Sequence, residues 1–264
     1  MSNSKPEGTN LMNTFTNSLQ QLQGNFHILE QRVPVERQIA YFKFSDKLKR
    51  EHTSSLPFGD ERVESIYATL CDDEPSEANP ISKAEKRRLL SLLAISRSVK
   101  AFRLLQSYIQ NPDPEIEDWA AMALMEARLA LESELSDEKQ IYIATALGGK
   151  GQKLRFSIVL YAKGSIPFLP YQRQAIEKEV AFWLPKLECE VERLEVKALY
   201  ARLLCLIPVR ADVPTIMQKV VNGCNECGNF LEQGFTISNV NELTEEEILR
   251  EIENKRNESN KASD

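Results

Sequence analysis

The chain has 264 residues, 42% of them hydrophobic and 27% charged, with a formal net charge of -6, which is close to ordinary globular composition. No apolar run approaches the ~18 residues that a membrane span needs, and Met1 to Asn10 is polar with no signal-peptide core, so no membrane association and a cytoplasmic location are expected. The acidic balance argues against general polyanion binding but leaves room for a local basic patch, and the five cysteines, Cys71, Cys189, Cys205, Cys224 and Cys227, read as free thiols.

In chain order, residues 1–10 are a polar tail of disorder-like composition, as are residues 254–264. Residues 11–136 read as a helical domain. Leu11, Phe15, Leu19 and Leu22 recur at helical spacing up to Gly24. Pro34 suits the first turn of a helix whose inward face is Val35, Ile39, Phe42 and Leu48. Asp60 is placed to cap a helix with the face Val63, Ile66, Tyr67 and Leu70, and a polar loop, 72–80, follows. Ser82 and Glu85 make a capping box ahead of Leu89, Leu90, Leu92 and Leu93. Ser98 opens a helix with Val99, Phe102, Leu105 and Ile109 inward, and Asn111-Pro112-Asp113-Pro114 stops it, because neither proline can supply a helical N–H. Asp113 and Pro114 are then the N-cap and first residue of a helix striped by Ile116, Ala120, Ala123, Ala127 and Leu131.

With its helix, Pro/Asp turn and alanine-faced second helix ("PDPEIEDWAAMALMEARLAL"), the segment 98–135 resembles a HEAT-type repeat, and residues 60–95 fit a preceding, more divergent unit. The resemblance implies stacked helical hairpins serving as a protein-binding scaffold, and it brings no catalytic motif. The alternative is a generic helical bundle containing one Asp-Pro turn.

After Ser136 the period changes. Residues 137–253 read as an α+β domain of order ββα-ββα-β with an antiparallel sheet. Ile141, Ile143, Thr145 and Leu147 alternate, as do Leu154, Phe156, Ile158 and Leu160 beyond a glycine-rich loop, which predicts a β-hairpin. A helix follows over 170–184. Residues 188–209 fit either one helix or a second hairpin. The short apolar run "LLCLIPV" favours strands, with a bulge between Val191 and Leu194. Asp212 and Pro214 open another helix, Phe235 and Ile237 mark a last strand, and Thr244 with Glu247 caps a final acidic helix.

The best local binding candidate is the hairpin loop. Gly148, Gly149 and Gly151 expose backbone amides beside Lys150, Lys153 and Arg155, a combination suited to a phosphate, a nucleic-acid backbone or an acidic protein surface. The bland alternative is a tight turn with solubilising lysines. Cys224 and Cys227 form a CxxC without a second pair, so they read as packing residues and no metal is expected. Charge is segregated: Lys83 to Arg103 carries seven basic residues and one acidic, Asp113 to Glu138 nine acidic and one basic. The two segments either attract each other or dock a partner. No catalytic residue and no cofactor are assigned. The leading expectation is a non-enzymatic interaction protein that binds another protein through its helical array or sheet, with the second half offering a further surface or a homodimer contact. The alternatives are a nucleic-acid-binding protein using the hairpin 148–155 and a small-molecule enzyme lacking recognisable motifs, which would need a concave pocket with convergent polar groups.

Overall fold

The first long helix buries its polar face. In the structure, a computed structural model that describes residues 24–71, 81–136 and 139–261, Pro34 leads into helix α1, Val35–His52, whose buried residues are Gln38, Tyr41, Ser45 and Leu48. Val35, Ile39 and Phe42 remain open to solvent, Ile39 at 49% exposure. The expected inward stripe is therefore corrected at three of its four positions. The reason is that the hydroxyls of Tyr41 and Ser45 find an acceptor inside, so their burial leaves no donor unsatisfied. The expected helix over Leu11 to Leu22, the tail 1–10 and the loop 72–80 lie outside the described residues.

Helices α2 (Asp60–Leu70), α3 (Lys83–Ile95), α4 (Val99–Tyr108) and α5 (Glu117–Leu135) follow. Ser82 and Ser98 cap α3 and α4 by accepting from the N–H groups of Glu85 and Ala101, whereas Gly59, not Asp60, is the N-cap of α2. Within α4 the buried positions are Ala101 and Leu105, and Val99 is exposed. The Asp-Pro turn stands apart from the helix it precedes: the Asp113 carboxylate accepts from the Glu115 N–H at 3.0 Å, and α5 begins at Glu117. The core centres on Leu89, Leu90, Leu93 and Ala94 of α3 and Ala120, Met122, Ala123 and Ala127 of α5. Small residues there let backbones approach closely, which suits dense packing. The opposite charges of the two segments meet within this fold: Lys86 reaches Asp113 at 2.8 Å, Arg97 reaches Glu134 at 3.5 Å, and Lys83 pairs with Glu115.

Strand β1, Asn25–Ile28, runs parallel to β2, Gln140–Ile143, pairing Phe26 with Ile141 and Ile28 with Ile143. The strand that begins after Ser136 therefore joins the helical part of the chain instead of forming a hairpin with 154–160. The described residues divide into two compact units, 24–148 and 149–261.

The second unit is an α+β fold in the order ββα-ββα-β, its first strand being the two-residue β3, Gly149–Lys150, rather than 141–147. Then come β4 (Lys153–Ala162), α6 (Pro170–Lys186), β5 (Glu190–Val196), β6 (Tyr200–Pro208), α7 (Val213–Glu226), β7 (Leu231–Ser238) and α8 (Glu245–Lys261). All pairings in this sheet are antiparallel. Strand β4 is central, with β6 on one edge and both β3 and β7 on the other. Its residues Phe156, Ile158 and Leu160 lie opposite Cys205, Leu203 and Ala201. Residues 188–209 form a hairpin, with a register shift between Val191 and Arg193 where a bulge is expected. Helix α8 places Ile248 and Ile252 on Val159, Tyr161 and Tyr200. Thr244 and Glu247 complete its capping box in both directions. The helix continues to Lys261, so residues 254–261, read from composition as tail, are helical, and Lys255 lies 3.3 Å over the Tyr161 ring. Among the described residues no helix is long and apolar enough to cross a membrane.

Candidate functional site

Glu126 sits in the middle of the apolar run "AAMALMEARLA" on α5 and is only 8% exposed. A carboxylate there is costly unless its oxygens are occupied and its charge balanced. Helix α1 supplies both requirements from one face. The Tyr41 hydroxyl donates to Oε2 at 2.6 Å, the Ser45 hydroxyl lies 2.7 Å from both oxygens, and the Lys49 ammonium is 2.6 Å from Oε1. These three residues are spaced by four along the helix, which stacks them on one side. Burial above all, and then the Glu126 charge, holds the Tyr41 hydroxyl well above its usual range, so it stays a proton donor at physiological pH. The same two causes raise Tyr142.

Beside this cluster lies a cavity of about 610 Å³ between α1, the C-terminal end of α3 and α5. Its lining is mainly apolar, from Leu56, Ile95, Met122, Met125 and Leu129, with Phe42 and Tyr142 edge-to-face at 5.5 Å. The Tyr142 hydroxyl donates to Met122 Sδ at 3.5 Å. Lys49, at 46% exposure, and Arg97, at 55%, reach it from solvent. All of these residues belong to the first unit.

The hairpin residues singled out from the sequence do come together, on β3, the following turn and the start of β4. Gly151 adopts a φ of +57°, as the tight turn requires. Gly148 has φ +68°, and a Cβ there would lie 2.4 Å from the carbonyl oxygen of Glu30. Gly149 is buried. The cations face acceptors on β5: Lys153 and Lys150 approach Glu190 at 2.7 and 3.5 Å, and Arg155 grips Glu192 through two bonds of 2.6 and 2.8 Å. Lys153 holds the Glu190 carboxyl below the usual carboxylate range. Gly148 and Gly151 thus meet backbone requirements, and Lys150, Lys153 and Arg155 each have a carboxylate of β5 within reach.

Cys224 and Cys227 fall at the C-terminal end of α7. Cys224 is buried, which pushes its thiol up to about 12, and Cys227 is exposed. Among the described residues no cluster of three metal-ligating side chains occurs. His27 Nε2 lies 2.7 Å from Gln140 Oε1 and 3.1 Å from Glu132, linking β1, β2 and α5.

The Glu126 cluster and its cavity are absent from the sequence reading. The available signals were one carboxylate inside an alanine-rich run, and Tyr41, Ser45 and Lys49 at helical spacing. Amphipathic patterning ranks apolar residues as inward, and so it selects the opposite side of α1.

No protein-family model matches this sequence, and no curated protein matches it. Among solved structures it is similar to a crystal structure of a putative transposase from Deinococcus radiodurans R1, at 17% identity and a TM-score of 0.36, covering 40% of this chain and 93% of that one. An overlap of that quality assigns neither fold nor activity.

Two substitutions on α1 and α5 test the geometry. Glu126→Ala strands the Tyr41 and Ser45 hydroxyls and is expected to lower the unfolding free energy by roughly 2–4 kcal/mol. Ile39→Ser, on the outward face, should change it by no more than about 0.5 kcal/mol. Urea unfolding followed by circular dichroism measures both, and the reverse order would restore the apolar stripe as the buried face.

Proposed function

We propose that this chain works by binding rather than by turnover, and that its first unit receives an apolar small molecule in the cavity beside Glu126. The observation that carries this reading is the cavity itself: about 610 Å³, apolar over most of its lining, with Lys49, Arg97, Glu126 and Glu134 as its charged members. Ligand sites commonly have this size and character. The buried carboxylate supports recognition over proton transfer, since both of its oxygens already hold donors from Tyr41, Ser45 and Lys49. A general base needs a free lone pair aimed at substrate. The neutral dye Nile red provides the test. Its fluorescence should rise on addition of the protein with one-to-one stoichiometry, and Leu129→Trp, which fills the cavity from its wall, should abolish the rise. No enhancement, or enhancement indifferent to Leu129→Trp, contradicts the reading.

A second reading draws on a feature of the same unit that meets the cavity at Phe42. Val35, Ile39 and Phe42 line the solvent side of α1 at helical spacing, a stripe that suits docking of an amphipathic partner helix. The resemblance of 98–135 to a HEAT-type repeat agrees with an interaction protein of this kind, acting in the cytoplasm. Nucleic-acid binding draws less support, because the hairpin cations face Glu190 and Glu192. Under the interaction reading, a partner recovered by affinity capture at gentle salt is lost with Ile39→Glu. A partner retained by that variant, or no specific partner, counts against it.

A further inference from the structure

We propose that the ligand of the Glu126 cavity carries a carboxylate head on its apolar body, and that Lys49 and Arg97 receive that head. The inference rests on the cavity being the binding site.

It follows from counting donors and acceptors around the lining. A carboxylate offers about four lone-pair positions. Glu126 meets three donors, the Tyr41 hydroxyl on Oε2, the Lys49 ammonium on Oε1 and the single Ser45 hydroxyl shared between the two, so each oxygen already holds one. The buried acceptor is therefore occupied. Met122 Sδ takes the Tyr142 hydroxyl.

Donors, by contrast, are in excess. The Lys49 ammonium has three N–H groups. One is directed at Glu126, while Asp46 stands 3.8 Å away, beyond hydrogen-bond range. Arg97 has five N–H groups in a planar fork, and its ion-pair contact is a single 3.5 Å approach to Glu134. Glu134, half exposed, is the one opposing charge on the lining that is not buried. It engages Nη1 and leaves the rest of the guanidinium for a second planar anion, the geometry in which arginine binds carboxylates best. An ammonium head would meet both cations with only Glu134 in its favour. A hydroxyl head could take one donor but would gain nothing from the charge. The apolar body then lies against Met122, Met125 and Leu129, where thioether side chains adapt to varied shapes.

Isothermal titration calorimetry of the full chain at low ionic strength with octanoate, octanol and octylamine separates these cases. Octanoate is expected to bind at least about tenfold more tightly than octanol, the ratio that one added charge-assisted hydrogen bond supplies. Octylamine should be the weakest. Arg97 lies outside the Glu126 cluster, so Arg97→Gln should fold normally and bring octanoate close to octanol while leaving octanol unchanged. Lys49→Arg, which keeps the charge beside Glu126, should retain the preference. Equal binding of octanoate and octanol, or a preference untouched by Arg97→Gln, overturns the carboxylate assignment and leaves the cavity reading standing. Failure of all three probes to bind, or binding unaffected by Leu129→Trp, overturns both.

Discussion

The first unit is organised by one buried carboxylate. Glu126 accepts from Tyr41, Ser45 and Lys49, all on one face of α1, and this fixes which side of α1 turns inward. Without an acceptor at that point, Tyr41 and Ser45 would be buried hydroxyls with no partner, and the apolar face of Val35, Ile39 and Phe42 would be the better one to bury. Two features follow from the rotation. An apolar stripe is left on the surface, and a cavity lies beside the polar cluster between α1, the end of α3 and α5. A structural device of this kind stabilises less than a well-packed apolar core would. What it does provide is a defined orientation for α1 and, in Glu126, a carboxylate beside the cavity whose two oxygens each hold a donor.

Charges elsewhere follow the same logic of local matching. The basic segment over α3 and the turn after it faces the acidic turn before α5 and the end of α5 itself through Lys86–Asp113 and Arg97–Glu134. In the second unit, Lys150, Lys153 and Arg155 answer to Glu190 and Glu192 on β5. Runs of like charge that look available in the sequence are thus largely engaged within the fold. Lys49 and Arg97 differ in lining a cavity, where part of each head group faces solvent.

Much of the architecture was legible in the residues. The caps at Ser82, Ser98 and Thr244, the hairpin over 188–209 with its bulge, and the antiparallel α+β second half all rest on local patterns that tertiary contacts reinforce. Three features were not legible, each because a long-range contact decides it. Strand β2 pairs with β1, more than a hundred residues away in the chain, so its alternation suggested a local hairpin. The end of α8 has a polar composition but continues past Lys255, which rests on Tyr161. The candidate site depends on Glu126 meeting Tyr41 across 85 residues, and patterning by hydrophobicity treats both as surface groups. The glycine-rich hairpin is conspicuous in sequence because glycine marks unusual backbone, and here the backbone accounts for Gly148 and Gly151.

The most direct measurement of the central claim is a double-mutant cycle on the buried pair, comparing Tyr41→Phe, Glu126→Leu and the double variant by urea unfolding. If the Tyr41 hydroxyl is buried because Glu126 accepts from it, either single change leaves the other group without its partner, and the double variant loses less than the sum by about 1–3 kcal/mol. Losses that add to within roughly 0.5 kcal/mol would mean that the two groups do not sense each other, and the account of how α1 is oriented would be wrong.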